Sequence, residues 1–391
     1  MTSSPRRHVL RRDRLVHRLL AVGAAAALVA SAHPAVAAEP ARSAPADVYT
    51  YLDDPEMVGE GQEAPHVVLR PYENAGRARK DGGSRWSRSL DGEWRFAIAD
   101  RPAEIPEGFH RPGYDTSGWR RVTVPHTWQS DRLDHPMFRN IPTEMWPDDP
   151  PKAPRDVNPT GAYVKTLNLP KDWKGRRTFL RFEGVISAYF VWVNGKYAGY
   201  DQGGYTPAEF DITDLVHEGK NKVAVQVHRW SSGSYLEDVD QWRYSGIFRS
   251  VWAYSTPRTY LRDAAITTDL DDAYRNATLN VDLAIGSKGG TQGEHTVHAT
   301  LVDPRGKTVQ RFSGKTNVQE NGASLRLTAN VDDPAKWTDE TPNLYRLVLE
   351  LADARGRVVH TTAQNLGFRE IEIKNRRLLV NGKRILIKGV N

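Results

Sequence analysis

Hydrophobic and polar residues alternate with a period of two over much of the chain between residues 86 and 256, a pattern typical of half-buried β-strands. Short runs of this kind include Phe179–Phe182 and Val223–His228. The apolar run Tyr189–Val193 leads into Asn194-Gly195, a dipeptide that favours a two-residue hairpin of type I′. Helical periodicity is almost absent, so we predict an all-β domain of the sandwich type here.

A second β-rich stretch occupies residues 257–367. The segment Thr278–Leu283 alternates, and the turn sequences Asp303–Gly306 and Asp353–Gly356 each lie between two expected strands. Seven or so strands in about 110 residues are typical of an immunoglobulin-like sandwich. We therefore predict a second, separate β-sandwich.

The segments on either side of these two units have different patterns. Residues 39–85 are rich in Pro, Gly, Ala and charged residues, which predicts an extended segment without a core of its own. Residues 368–391 predict a hairpin in which Asn381-Gly382 joins strands at Leu378–Val380 and Ile385–Ile387. An apolar strand at a terminus is unusual, because termini are normally polar and frayed, so we expect this end to be a truncation point.

The first 38 residues have the three parts of an export signal. Six arginines between Arg6 and Arg18 precede the apolar run Leu19–Ala30, and small residues precede an expected cleavage site near Ala38. The Arg6-Arg7 pair leaves both a Sec and a twin-arginine signal open. The apolar run is too short to cross a bilayer comfortably, and no other segment is a candidate, so we predict a secreted protein with no membrane partner after cleavage.

Composition and charge exclude several functions. The formal net charge of +6 comes mostly from residues 1–38, whose six Arg and one Asp contribute +5 and leave +1 for the rest. The remaining chain thus lacks the basic footprint of a nucleic-acid-binding protein. The absence of cysteine excludes disulfides, zinc–thiolate sites and a cysteine nucleophile. The histidines show no metal-ligand spacing, and there is no phosphate-binding glycine loop or Ser-His-Asp signature.

A long motif, Trp230–Arg249, resembles the β-galactosidases of glycoside hydrolase family 2. The resemblance covers roughly residues 65–391, in the order of the family. Further matching segments are Leu90–Trp94, Asn158–Gly161, Pro207–Asp211, Pro342–Tyr345, Gly367–Arg369 and Asn381–Asn391.

This resemblance implies a fold and a division into parts. The expected fold is all-β, with a galactose-binding-like jelly-roll β-sandwich at residues 86–256 and an immunoglobulin-like β-sandwich at residues 257–367. Residues 368–391 would be the first hairpin of a truncated catalytic TIM barrel. Such a barrel needs about 250 residues, whereas 24 residues follow Gly367 (391 − 367).

The resemblance also implies which residues contact substrate. Family members are retaining glycosidases that use two glutamates on the barrel, so no catalytic residue is assigned in this chain. Asp240 matches an aspartate that contacts galactosyl hydroxyls and helps to hold sodium, and a carboxylate suits both roles. Asn140 matches an asparagine on a loop that reaches toward the same pocket. The alternatives are a turn-capping role for Asp240 and a turn-stabilising role for Asn140.

The sequence also supports expectations about which tryptophans are buried and which cofactors are needed. Trp94, Trp192 and Trp252 lie in strand patterns and are expected in the core, whereas Trp146 is the best candidate for exposed sugar stacking. Sodium and magnesium are expected in the full-length enzyme, and no cofactor is certain in this chain.

The function that the resemblance implies is hydrolysis of terminal β-D-galactosides by the parent enzyme, with this part supplying pocket contacts and scaffold. Expected partners are a β-galactoside or another carbohydrate, the missing barrel, and further copies of the full-length enzyme. Two alternatives stay open: a stand-alone secreted carbohydrate-binding protein, and a family 2 hydrolase of another sugar, such as a β-glucuronidase or β-mannosidase.

Overall fold

The computed structural model describes residues 42–138, 149–236 and 242–389. These ranges contain two short α-helices, α1 (Tyr49–Leu52) and α2 (Ala75–Arg79). The strands, in chain order, are β1 (Gly59–Glu60), β2 (Pro71–Tyr72), β3 (Ser87–Ser89), β4 (Gly92–Ala99), β5 (Arg120–Val124), β6 (Met137–Phe138), β7 (Thr160–Leu169), β8 (Arg177–Phe182), β9 (Ala188–Val193), β10 (Lys196–Asp201), β11 (Ala208–Asp211), β12 (Gly219–His228), β13 (Trp242–Arg243), β14 (Val251–Thr256), β15 (Thr259–Leu270), β16 (Ala277–Ser287), β17 (Gly293–Val302), β18 (Thr308–Val318), β19 (Ala323–Val331), β20 (Tyr345–Ala352), β21 (Val358–Leu366), β22 (Ile371–Lys374), β23 (Arg377–Val380) and β24 (Lys383–Arg384).

The first sandwich consists of a seven-stranded and a four-stranded sheet. The strand orders are β1-β10-β9-β12-β7-β4-β5 and β11-β8-β14-β3. The two sheets enclose a core that is dense in large aromatic side chains, among them Trp94, Trp128, Tyr163, Phe182 and Phe210. This arrangement confirms the predicted jelly-roll sandwich.

Strand β9 is buried along its whole length, which explains why its sequence is a continuous apolar run rather than an alternating one. One face packs into the sandwich core. The other is covered by the N-terminal segment: Leu52 is fully buried, and the Tyr51 ring lies 5.8 Å from that of Phe190. The segment predicted to lack its own core therefore contributes side chains to the core of its neighbour.

The predicted hairpin after β9 is confirmed. Asn194 and Gly195 have φ values of 52° and 80°, the left-handed conformation that a type I′ turn requires of both central residues. The asparagine side chain also fastens the turn, because its Nδ2 donates to the Leu215 carbonyl at 2.9 Å.

The second sandwich pairs a three-stranded sheet, β15-β16-β19, with a five-stranded sheet, β18-β17-β20-β21-β2. Burial alternates strictly along β16, as its sequence predicts. Both expected turns join strands, β17 to β18 at Asp303–Gly306 and β20 to β21 at Asp353–Gly356. The immunoglobulin-like prediction is confirmed.

The C-terminal hairpin differs from the prediction in detail. Strand β23 pairs on one side with β22, which the sequence analysis missed, and on the other with the two-residue β24. The turn at Asn381-Gly382 is present, with φ values of 50° and 72°. Ile385–Ile387 forms no strand; the last bond to β23 is that of the Ile385 amide to the Leu378 carbonyl, at 3.3 Å. The long expected hairpin is thus a short three-stranded sheet.

Within the three ranges covered by the structure, no helix is long and apolar enough to cross a membrane.

Candidate functional site

The three residues with predicted sugar contacts, Asn140, Trp146 and Asp240, lie outside the described residues. The strands on either side of them are described. Strand β6 ends at Phe138 and β13 begins at Trp242, and these two residues are directly paired in an antiparallel ribbon. Residues 139–148 and 237–241 therefore extend from the same short ribbon.

The segments behind this ribbon are hydrogen-bonded to each other. The amide of His126 donates to the Ile247 carbonyl at 2.8 Å, and the amide of Trp128 donates to the Ser245 carbonyl at 2.9 Å. The Trp128 side chain is fully buried, and its Nε1 donates to the Tyr163 hydroxyl at 2.5 Å. The base of the ribbon is consequently anchored in the core of the first sandwich.

A buried ion pair lies between this anchor and the ribbon. Arg229 and Asp134 have side chains that are 5% and 11% exposed, and Nη1 of the arginine donates to Oδ2 of the carboxylate. Arg229 Nη2 also donates to the His135 carbonyl at 3.2 Å. Gln129 donates to the same Asp134 oxygen at 3.1 Å and accepts from the amide of Ser245 at 2.8 Å.

Aromatic side chains surround the ribbon. The rings of Phe138 and Trp242 are 5.6 Å apart, and both side chains are 48% exposed. A small cleft next to β13 includes Tyr205, Trp230 and Tyr244 in its lining. The sequence analysis did not single out Phe138 or Trp242, although both directly flank the loops that carry its candidates. Exposed aromatic faces are suited to contact with the apolar faces of sugars.

The buried histidines near this end of the sandwich are not suited to proton transfer. Burial lowers the pKa of His228 to about 3. Burial also lowers the pKa of His126, against the opposing effect of the Asp131 carboxylate. Both rings are therefore neutral at physiological pH. His126 instead bridges Asp131, at 2.7 Å, and the Tyr163 hydroxyl, at 3.0 Å.

A metal centre is not visible in the part of the chain that the structure covers. Among residues 42–138, 149–236 and 242–389, no group of three or more His, Asp or Glu side chains is arranged to hold a metal ion. The expected sodium ligand, Asp240, lies outside these ranges.

The predicted core tryptophans behave as expected in two of three cases. Trp94 and Trp192 are buried. Trp252 is half-buried, and its indole Nε1 donates to Glu183 Oε1 at 2.8 Å. This bond places the polar edge of the indole against a charged group rather than in the core.

Two family models match the chain in succession. The model described as the sugar binding domain of glycosyl hydrolases family 2 matches residues 87–257. The model described as glycosyl hydrolases family 2 matches residues 259–369. The two matches together cover both sandwiches.

Curated relatives give the same result. The chain is 38% identical over 359 residues to a β-galactosidase of Priestia megaterium, covering 89% of this chain and 34% of the relative. It is 41% identical over 313 residues to a β-galactosidase of Alteromonas mediterranea, covering 77% and 29%. The chain therefore spans about a third of the length of these relatives.

Solved structures share the fold. A glycosyl hydrolase family 2 member from Bacteroides cellulosilyticus aligns with a TM-score of 0.62 at 24% identity, over 78% of this chain and 39% of that one. A β-glucuronidase of Bacteroides uniformis aligns with a TM-score of 0.61 at 22% identity, over 76% and 34%.

Proposed function

Because the chain belongs to glycoside hydrolase family 2, we propose that it is the N-terminal, non-catalytic part of a β-galactosidase and supplies substrate contacts from its first sandwich. The pairing of β6 with β13 is the observation that carries this proposal. In the sequence, Asn140 follows Phe138 by two residues and Asp240 precedes Trp242 by two residues. Two polar residues about a hundred positions apart thus belong to loops with a common stem.

The chemistry of the two side chains suits a hydroxyl-rich ligand. A carboxylate accepts hydrogen bonds from sugar hydroxyls, and an amide both donates and accepts. The exposed rings of Phe138 and Trp242, each two residues away in the sequence from one of these side chains, offer an apolar surface. The curated relatives are β-galactosidases, which favours a galactoside over other β-glycosides. The resemblance also predicts that the parent enzyme binds sodium and magnesium, with Asp240 as a sodium ligand. It further predicts that the parent enzyme assembles into oligomers.

Replacement of Asp240 tests the proposal. Hydrogen bonds to a charged group contribute about 1.5–3 kcal/mol, so Asp240→Asn should weaken binding of methyl β-D-galactoside at least tenfold while the melting temperature stays the same. Saturation-transfer NMR on the chain measures binding, with methyl β-D-glucuronide as the competing sugar and Asp332→Asn, in the second sandwich, as the control. In an enzyme that carries the barrel, the same change should lower kcat and raise KM.

Three results would contradict parts of this assignment. Unchanged galactoside binding by Asp240→Asn would leave this residue with a turn-capping role. Tighter binding of the glucuronide than of the galactoside would make β-glucuronides the substrate class. Hydrolysis of a chromogenic β-galactoside by this chain, well above the buffer rate, would contradict the non-catalytic role.

We further propose that the protein is exported, as its first 38 residues predict. N-terminal sequencing of protein from the culture medium should find a start close to Ala38. Replacing Arg6 and Arg7 together by lysine should abolish export through the twin-arginine route and leave Sec export intact. Recovery of secreted protein that retains Met1 would refute the proposal.

A further inference from the structure

We propose that Arg229, Asp134 and Gln129 form a positioning network that holds the β6–β13 ribbon in place on the first sandwich and so sets the contacts of the proposed substrate loops. This inference rests on the proposed function for its link to substrate. None of the three residues is expected to touch the sugar.

The ribbon needs support from outside itself. Each of its strands contains two residues, and the ribbon belongs to neither large sheet of the first sandwich. An isolated two-stranded hairpin is marginally stable in water at best. The position of the ribbon on the first sandwich therefore depends on the residues behind it.

Arg229 extends from the rigid part of the molecule. It directly follows β12, a central strand of the seven-stranded sheet, and its amide donates to the Pro159 carbonyl at 2.9 Å. The next residue, Trp230, exchanges two hydrogen bonds with the buried side chain of Asn158, at 3.0 and 3.1 Å. The backbone that carries the Arg229 side chain is thus held in place by hydrogen bonds to Asn158 and Pro159.

Asp134 links the anchored Arg229 to the segment that leads into β6. Its Oδ2 accepts from both Arg229 and Gln129, and its Oδ1 accepts from the amide of His135 at 2.7 Å. The arginine also binds the carbonyl of His135, two residues before β6 begins. The chain that leads into β6 is consequently fixed at both a side chain and the backbone.

Gln129 extends the network to the other strand. Its Nε2 reaches Asp134 and its Oε1 accepts from the amide of Ser245, two residues after β13 ends. The side chain is 6% exposed, so water competes little for these bonds. One amide group therefore ties the stems of both strands to a single buried charge pair.

Loss of one partner should release the ribbon, because Asp134 and Gln129 supply the buried hydrogen bonds that join the stems of β6 and β13, and a buried polar network that loses a member is only partly satisfied. Trp242 reports such a rearrangement directly, since its half-exposed ring stands on β13 against Phe138. The buried Trp94 and Trp192 report the integrity of the sandwich.

The experiment uses the full chain with ¹⁵N-labelled tryptophan, and Trp242→Phe assigns the indole resonance of Trp242. Asp134→Asn keeps the size of the side chain and removes its charge. The matched control is Asp282→Asn, which removes an exposed carboxylate paired with Arg326 in the second sandwich. Gln129→Met is a second variant that leaves the ion pair intact, so it tests the link even if Asp134→Asn folds poorly.

The proposal predicts that Asp134→Asn and Gln129→Met both shift or broaden the Trp242 resonance, leave those of Trp94 and Trp192 in place, and raise the dissociation constant of methyl β-D-galactoside at least fivefold. The control should change none of these. An unchanged Trp242 resonance in Gln129→Met would overturn the network, and so would normal galactoside affinity in a variant whose Trp242 resonance has moved. If the wild-type chain binds no galactoside while Trp242 responds as predicted, the network stands and the proposed function fails.

Discussion

Gly161 allows the buried rings of Trp128 and Phe96 to pack closely against the backbone at the base of the candidate site. A Cβ atom at Gly161 would lie 2.6 Å from Cζ2 of Trp128 and 2.8 Å from Cε2 of Phe96, closer than real side chains allow. Both rings are fully buried, and Trp128 carries a backbone bond to the segment behind β13. Close packing against these two rings therefore explains why the Asn158–Gly161 motif ends in a glycine.

Gly161→Ala should destabilise the first sandwich, because the added methyl group forces buried rings away from their positions. Overpacking of this kind costs about 1–3 kcal/mol. Urea denaturation followed by tryptophan fluorescence measures the loss. Gly113→Ala is the control, since a Cβ there meets no atom within 4 Å. Equal stability of the two variants would show that the core accommodates the methyl group.

At the scale of elements, the C-terminal sheet stands apart from the two sandwiches. Ile371 and Ile373 in β22 are 53% and 83% exposed, and Leu386 and Ile387 beyond β24 are 68% and 82% exposed. Asn381 and Glu372 attach it to the second sandwich, since the Asn381 side chain donates to the Trp337 carbonyl at 3.0 Å and the Tyr274 hydroxyl donates to the Glu372 carboxylate. Exposed apolar residues next to open strand edges favour association between chains.

Deletion of residues 370–391 should raise solubility without lowering the melting temperature of the sandwiches, because few core side chains are lost. Among residues 370–389, which the structure describes, Val380 is the buried exception, while Phe368 is retained. Differential scanning calorimetry and light scattering measure the two effects. The matched control is Ile373→Lys in the intact chain, which should improve solubility alone. A fall in melting temperature of more than about 4 °C, roughly 1 kcal/mol for a domain of this size, would show that this sheet stabilises the second sandwich.

At the scale of the molecule, the segment between β1 and β2 connects the two sandwiches. Strand β1 extends the seven-stranded sheet at β10, and β2 extends the five-stranded sheet at β21. Between them, His66 Nε2 lies 3.0 Å from Oε1 of Glu209, which also accepts from the Tyr254 hydroxyl at 2.7 Å. The side chains of His66 and Glu209 are 5% and 3% exposed, so this pair is shielded from solvent.

Stability should therefore depend on the charge of His66. Burial lowers the pKa of His66, but the hydrogen bond and charge of Glu209, with the Val67 carbonyl, raise it by more, against a smaller opposing effect of Arg262. The folded pKa lies above the unfolded value of about 6.5. The stabilisation is consequently complete below pH 6.5 and is lost as the pH rises through the folded pKa.

His66→Gln should reduce the free energy of unfolding more at pH 6 than at pH 9, because only the protonated ring forms the ion pair. Urea denaturation at the two pH values measures the difference, with the exposed His298→Gln as control. His228 and His360 act in the opposite direction, since burial lowers the pKa of each to about 3 and makes the wild type less stable in acid. An equal loss at both pH values would contradict the charged state of His66.

The sequence by itself determined the features that depend on neighbouring residues. Alternation along β16 specified its buried face, and Asn194-Gly195 specified a turn, because side-chain period and left-handed backbone preferences are local properties. The motif Trp230–Arg249 specified the family. These features sufficed for the fold class.

The tertiary structure decided which distant segments meet. Nothing local in the sequence indicates that Leu52 covers β9, that Phe138 pairs with Trp242, or that Arg229 takes Asp134 as its partner. Each contact joins residues dozens to more than a hundred positions apart. Their meeting depends on the order of strands in the sheets and on the burial of charges that are paired only when the whole sandwich has formed.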